Sequence, residues 1–197
     1  MENIPMKRLV VLAILAAGCL LVGVVPGVAK KKPAKPIIET FEATASGVGV
    51  LRFEIEEFST DQDIQELAQV YAKRGKDAVE SALDKIEKGS FWVANGAYPI
   101  RVVRSASEGG VRTLNIVAVA ADRIAGDRGG QTFIGHRGYP FTFVQLKIDQ
   151  QGKGRGQEVP FAMIVFTEKG AIDVKPMVIG SGGNAAMPLV NVHAVSQ

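Results

Sequence analysis

Hydrophobic and polar residues alternate along much of the chain after residue 36. Phe41 and Ala43 alternate with Glu42 and Thr44, and the same two-residue period returns in 51–56. A period of two is typical of a β-strand with one buried face and one solvated face. The pattern predicts a first strand over 37–45 and a second strand that begins near Leu51.

The period changes to that of a helix between these strands and the rest of the chain. Ser59, Thr60 and Asp61 form a helix start in which Thr60 can cap the first turn. Gly75 follows two basic residues and predicts the helix end. A second short helix is expected to begin near Asp77 and to end at Gly89. The apolar stripes of the two helices are Ile64, Leu67, Ala68 and Tyr71, then Val79, Ala82, Leu83 and Ile86.

The remaining segments carry strand and turn patterns. Asn95 and Gly96 form a strong hairpin signal between two of them. The predicted strands are 91–94, 98–105, 111–120, 139–149, 159–167, 171–179 and 189–195. We therefore expect an α+β fold: a mostly antiparallel β-sheet or partial barrel of about nine strands, with an α-helical hairpin inserted after the second strand. The expected core residues are Phe53, Ile55, Leu67, Leu83, Val102, Ile116, Phe143, Leu146 and Val165.

The first 29 residues have the pattern of a secretory signal peptide. Lys7 and Arg8 precede an apolar run over 9–25. Gly27 and Ala29 then supply the two small residues that precede a signal-peptidase cleavage site. The run has 17 residues, the lower limit of about 17 for a membrane-spanning helix, so an uncleaved anchor over 9–25 is the alternative. Cys19 loosely resembles an acylation site, but more apolar residues follow it. We expect export to the periplasm or beyond the cell.

Composition narrows the class of protein further. The chain is 47% hydrophobic and 22% charged, which excludes a disordered or coiled-coil protein. Its single cysteine and two histidines exclude a zinc module, a disulfide scaffold and a multi-histidine metal centre. We expect no metal and no cofactor.

The positive charge of the chain belongs to its N-terminal part. The formal charge is +3, but residues 30–36 form a Lys- and Pro-rich tail with four lysines. The expected single domain, 37–197, has 17 basic and 19 acidic residues. That balance argues against nucleic acid as a partner. We expect membrane contact only if the leader stays uncleaved.

Several stretches resemble an uncharacterised family of small exported bacterial α+β proteins. They are GVLRFEI at 49–55, VAVAADR at 117–123, YPFTF at 139–143 and GKGRG at 152–156. The resemblance covers roughly 47–195. It implies export and a single domain, and it carries no activity and no site residues.

Two short glycine-rich stretches are weak candidates for a site. Gly152, Gly154 and Gly156 precede a strand rather than a helix, so we expect a flexible hairpin turn instead of a phosphate loop. Asp149 and Glu158 flank it as a weak calcium pattern. Ser181 lies between glycines but lacks the first glycine of the hydrolase elbow.

The connection over 122–139 is the main candidate site. It has 18 residues and five glycines, and long connections of this kind are often functional. Arg123, Arg128, His136 and Arg137 are the candidate ligand-binding residues, because arginine donates forked hydrogen bonds to anionic groups. The alternative is that aspartates of the same loop pair with these arginines. His193 is expected to be packed or to line a face of the sheet.

These patterns favour a non-enzymatic, exported binding or envelope-associated domain with an unidentified envelope partner or anionic ligand. The alternative function is a small hydrolase that uses His136 with a nearby carboxylate. Whether the protein is an enzyme stays open at this point.

Cleavage after Ala29 is directly testable. The intact mass of the protein purified from its native host should lack residues 1–29 and leave Lys30 first. A full-length mass in the membrane fraction would show that 9–25 is an anchor instead.

Overall fold

The structure is a computed structural model, and it describes residues 35–94, 96–120, 140–167, 171–176 and 186–195. Strands account for 59% of the described residues. The strands are β1 Glu39–Ala45, β2 Gly49–Ile55, β3 Gly89–Val93, β4 Gly96–Glu108, β5 Val111–Val119, β6 Phe141–Ile148, β7 Lys153–Phe166, β8 Ile172–Pro176 and β9 Met187–Ala194. Helices α1 Asp61–Arg74 and α2 Lys76–Leu83 lie between β2 and β3.

Eight of the strands form a closed antiparallel barrel. Their order is β6-β5-β4-β3-β2-β1-β9-β7, and β7 pairs with β6 to close the ring. The additional strand, β8, pairs with the second half of β7. The expected α+β class and partial barrel are therefore wrong: the described fold is mostly β, with a closed barrel and two short helices. Alternation reveals strands, but closure depends on pairs such as β1–β9 that are distant in sequence.

The barrel interior is one of two hydrophobic cores. Along the regular stretches of its strands, every second residue points inward, as in Leu114, Ile116 and Ala118 on β5, which are completely buried. Phe53 and Phe91 are direct partners on β2 and β3, and their rings stack with centroids 5.0 Å apart. Side chains from seven of the eight barrel strands contribute to this cluster. The middle of the barrel is therefore filled by apolar side chains.

The second core lies between the helices and the outer side of the barrel. Ile64 and Leu67 of α1 and Leu83 of α2 pack in one cluster with Val117 and Phe143, which point outward from β5 and β6. The helices therefore cover one side of the barrel. Within the described residues, no helix is both long and apolar enough to span a membrane.

Local signals explain where α1 begins and ends. Thr60 Oγ1 accepts a hydrogen bond from the Asp63 backbone N–H at 3.1 Å, and Asp63 Oδ2 accepts one from the Thr60 N–H at 2.9 Å. This reciprocal pair is a capping box. Gly75 ends the helix with φ of 78°, a conformation that glycine adopts without steric cost. The second helix starts one residue later.

Gly89 has a different role from the one that the sequence suggested. It begins β3 rather than ending α2, and its φ is 146°. A Cβ atom added there would lie 2.0 Å from the Glu54 carbonyl oxygen of the neighbouring strand. Gly89 therefore permits a close approach of β2 and β3.

Eight of the nine expected core residues are buried, and Val165 is only half-buried. Its neighbours Ile164 and Phe166 are buried instead. The β6–β7 register shifts near Phe161, which has a positive φ of 51°. Such an irregularity shifts the alternation by one residue, so the sequence pattern predicted the wrong side of the strand.

An ionic network joins the start of α1 to the barrel. Lys88 precedes β3 and is 7% exposed. Its Nζ donates to Glu57 Oε1 and, at 3.2 Å, to Asp63 Oδ2, and Lys35 also pairs with Glu57. Hydrogen bonds from Lys35 and Lys88 lower the pKa of Glu57 from 4.5 to about 2. Burial lowers the pKa of Lys88, but hydrogen bonds to Glu57 and Asp63 outweigh it, and the net shift is upward.

Leu67→Ala tests the packing of α1 on the barrel. Because Leu67 is 4% exposed within the second core, its truncation should lower the free energy of unfolding by about 2–5 kcal/mol in urea titrations. The exposed neighbour Gln69 is the control, and Gln69→Ala should change it by no more than about 0.5 kcal/mol. If Leu67→Ala and Gln69→Ala both changed the free energy of unfolding by no more than about 0.5 kcal/mol, the face of α1 that carries Leu67 would lie in solvent.

Glu57→Gln tests the ionic network through its pH dependence. The folded-state pKa of Glu57 is depressed, so the ionised carboxylate stabilises the fold above pH 4.5 and loses this effect as the pH falls towards about 2. The stability difference between wild type and Glu57→Gln should therefore be largest above pH 4.5 and shrink below it. Urea unfolding at a series of pH values measures it, with the exposed Glu87→Gln as control. A stability difference between wild type and Glu57→Gln that does not vary with pH would contradict the pairing of the Glu57 carboxylate with Lys35 and Lys88.

Candidate functional site

The ligand-binding residues predicted from sequence lie outside the described residues. Arg123, Arg128, His136 and Arg137 all fall within 121–139, and Ser181 falls within 177–185. On either side of the first segment, the Ala120 N–H donates to the Pro140 carbonyl oxygen at 2.8 Å. The two residues that flank this segment are therefore neighbours at the ends of β5 and β6. The assignment of these residues to a site stays a prediction.

Of the glycine run at 152–156, only Gly152 lies in the hairpin turn, where its N–H donates to the Asp149 carbonyl oxygen at 3.0 Å. Asp149 Oδ1 also accepts hydrogen bonds from the backbone N–H groups of Gln151 and Lys153 at 2.8 and 3.0 Å. Gly154 and Gly156 already belong to β7. A Cβ atom on Gly154 would lie 1.9 Å from the Lys147 carbonyl oxygen, and one on Gly156 would lie 2.4 Å from that of Gln145. These glycines allow the backbones of β6 and β7 to approach closely.

Asp149 and Glu158 do not form a calcium site. Asp149 binds the amides of its own turn, whereas Glu158 is buried opposite Val144, several positions further along the β6–β7 ladder. At about 3.3 Å per residue, the two carboxylates are too far apart to share one ion. In the described ranges, no group of three or more His, Cys, Asp or Glu side chains could hold a metal.

A row of exposed cations crosses the outer side of β6 and β7. Lys147 and Arg155 are direct partners in the ladder, and Lys153 lies two residues from Arg155 on the same side of β7. All three side chains are exposed. Direct partners have Cβ atoms about 4.5–5.5 Å apart, so these charges lie close together. We call Lys147, Lys153 and Arg155 the basic strip.

Within the part of the chain that the structure describes, the basic strip forms no salt bridge with a carboxylate. The salt bridges there involve other cations, such as Arg104 with Asp61 and Arg112 with Glu39. Like charges directly opposite each other in a sheet destabilise the fold. The strip is therefore an arrangement that a bound anion would relieve.

His193 extends the row onto β9, where the charges become balanced. It is the direct partner of Lys153, and its side chain is exposed, so it lines a face of the sheet. On the next strand, Glu42 Oε2 lies 3.7 Å from His193 Nε2. Further along the same row, Arg52 pairs with Glu54 at 3.0 Å. Within this row of the described strands, the uncompensated positive charge thus lies on β6 and β7.

The helical side of the barrel has the opposite charge. Residues 56–88, which include both helices, contain nine acidic and five basic residues, a formal charge of −4. The helices cover the outer side of β5, β6 and β7 around Val117, Phe143 and Ile164, further along the same strands from the basic strip. The protein is therefore electrostatically polarised, although the domain as a whole is nearly neutral.

A cavity beside the β6–β7 turn and the start of β1 offers less to a charged ligand. It has a volume of about 450 Å³ and is lined in part by Glu39, Phe41 and Arg112. The Arg112 guanidinium donates to Glu39 at 2.7 Å and to Ser105 at 2.8 Å, and it lies over the Phe41 and Phe58 rings. Its donors and its ring contacts serve the fold, so we do not assign this cavity as the site.

Sequence reasoning missed the basic strip because it needed the register of β6 and β7. The alternation of Lys153 and Arg155 with glycines is a strand signal, but the same glycines also fit a turn. Comparison of the chain with protein-family models, curated proteins and solved structures finds no match. The resemblance to exported bacterial proteins therefore stays a prediction, and the function is argued from the site alone.

Proposed function

We propose that the protein is an exported, non-enzymatic binding domain of the cell envelope that binds an anionic ligand through the basic strip. The observation that carries the proposal is the cross-strand pair of Lys147 and Arg155, with Lys153 beside it and no carboxylate partner for any of the three in the described residues. Export rests on the signal-peptide pattern of residues 1–29.

The chemistry of the strip suits binding. Lysine and arginine supply hydrogen-bond donors and no acceptors, and arginine contacts two oxygens of one anionic group at once. His136, on which the alternative hydrolase depends, lies outside the described residues, and no observation favours that alternative.

Chromatography on immobilised dextran sulfate tests the proposal. The wild-type protein should be retained and should elute with salt, because exposed charge pairs are screened. The variant Lys147→Gln/Lys153→Gln/Arg155→Gln should elute at clearly lower salt. It should also be at least as stable as wild type in thermal melts, since the substitutions remove repulsion.

The matched control removes the same charge elsewhere. Lys73→Gln/Arg74→Gln/Lys76→Gln changes three cations at the junction of α1 and α2 and should elute close to wild type. Equal losses in both triple variants would show a non-specific charge effect and contradict the site. The double variant Arg128→Gln/Arg137→Gln tests the loop predicted from sequence; if it alone loses retention, the site is there instead.

A further inference from the structure

We infer that the anionic ligand of the basic strip is an acidic polysaccharide, whose sugar hydroxyl groups bind a row of amide side chains beside the strip. The inference rests on the proposed function and names the class of its ligand. Two further observations carry it: the row of amides and a cavity that opens next to it.

The row of amides lies one step along the same strands from the basic strip. Asn115 of β5 is the direct partner of Gln145 of β6, and Gln145 is the direct partner of Gln157 of β7. Each glutamine is two residues from a cation of the strip on its own strand, so amides and cations point outward from the same face. We call Asn115, Gln145 and Gln157 the amide row. Cations and amides thus form two adjacent rows on one patch of the barrel.

The amide row is oriented and still has hydrogen-bonding capacity to offer. Gln145 Nε2 donates to Asn115 Oδ1 at 2.9 Å, which orients both amide groups. An amide side chain has two N–H donors and an oxygen that accepts two hydrogen bonds, so this contact uses only part of that capacity. Gln157 is exposed, and Asn115 and Gln145 are half-buried. The row therefore presents donors and acceptors together to a ligand on this face.

A cavity of about 320 Å³ opens beside the amide row. Asn115 and Gln145 line it together with Arg104 of β4, and Phe143 and Ile172 supply apolar wall. Its volume lies in the range of about 300–1,000 Å³ that is typical of small-molecule sites. The cavity is therefore large enough to receive a sugar ring of a chain whose charged groups lie on the strip.

The charges around the patch separate the anionic part of a ligand from its neutral part. On the cavity side, Arg104 already pairs with the exposed carboxylate of Asp61 at 2.6 Å. A second anion beside Asp61 would be repelled. The basic strip, on the other side of the amide row, forms no such salt bridge within the described residues. An anionic group is therefore favoured on the strip, and a neutral, hydrogen-bonding group on the amide row and in the cavity.

An acidic polysaccharide combines these two kinds of group. Its carboxylate or sulfate groups suit lysine and arginine, and its hydroxyl groups donate and accept hydrogen bonds at once, as the amides do. An acidic peptide that binds by strand addition needs an open sheet edge, but β6 and β7 are each paired on both sides along this patch. The described side chains of the patch include no exposed aromatic ring on which the bases of a single-stranded nucleic acid could stack.

Fluorescence anisotropy of the full protein with two labelled oligomers tests the inference. One is an oligogalacturonate, which has a carboxylate and free hydroxyl groups on each ring. The other is an oligoglutamate with the same number of carboxylates and no hydroxyl groups. Wild type should bind the oligogalacturonate at least about tenfold more tightly, the effect expected of a few added hydrogen bonds. Both complexes should weaken as salt rises, because both use the strip.

Variants separate the amide row from the strip. Gln145→Met/Gln157→Met keeps side-chain length but removes the amide groups, and it should lower the affinity for oligogalacturonate by about tenfold while leaving that for oligoglutamate unchanged. The triple variant of the basic strip should weaken both complexes. Gln65→Met/Gln69→Met, at two exposed positions of α1, is the matched control and should bind both oligomers as wild type does. Thermal melts check that each variant is folded.

The outcomes distinguish the two proposals. Equal affinity of wild type for the two oligomers, or tighter binding of the oligoglutamate, would overturn the polysaccharide assignment and leave anion binding by the strip intact. A preference for oligogalacturonate that survives in Gln145→Met/Gln157→Met would also overturn the assignment, because the amide row would not be its source. Failure of wild type to bind dextran sulfate or either oligomer would overturn both proposals.

Discussion

The close pairing of β6 with β7 is the contact on which the barrel and its candidate site both depend. Without it, the eight strands would form an open sheet with two unpaired edges. Gly154 and Gly156 make it possible, because any side chain at either position would collide with the backbone of β6. The same register brings Lys147 and Arg155 side by side on the outer surface. Closure and charge clustering therefore have one structural origin.

The two hydrophobic cores stabilise the barrel from inside and outside, and the outer core leaves part of the barrel surface in contact with solvent. One core fills the interior. The other buries outward side chains of β5 and β6 beneath α1 and α2. The ionic network of Lys88 with Glu57 and Asp63 holds the start of α1 against β3. With the helices on one side, the outer faces of β1, β2 and β9 stay in contact with solvent.

The sequence predicted those parts of the fold that have local causes. Thr60 and Gly75 delimit α1 through hydrogen bonds within a few residues, and the alternation in β5 identifies its inward side. The complete ring was missed because it also needs the β1–β9 pair, which joins strands far apart in the chain. Gly89 and Gly154 were misinterpreted for a shared reason: each permits close strand contact, which a sequence pattern cannot distinguish from a turn or a helix end.

The candidate site was less predictable than the fold. Arg128 and Arg137 stand out because they lie close together in sequence, and the described residues do not test them. Lys147 and Arg155 lie eight positions apart in sequence and become neighbours only through the β6–β7 register. A search for clustered charges along the chain therefore finds loops, whereas the clusters on a barrel surface need the ladder to be known.

A residue-resolved NMR titration with dextran sulfate tests most directly whether β6–β7 closure creates the anion-binding face. We expect shift changes concentrated at Lys147, Lys153, Arg155 and His193, with cross-strand contacts between β6 and β7 in the free protein. Shift changes confined to the helices or to 121–139 would contradict the claim that the β6–β7 face binds anions. The absence of cross-strand contacts between β6 and β7 would contradict the barrel closure itself.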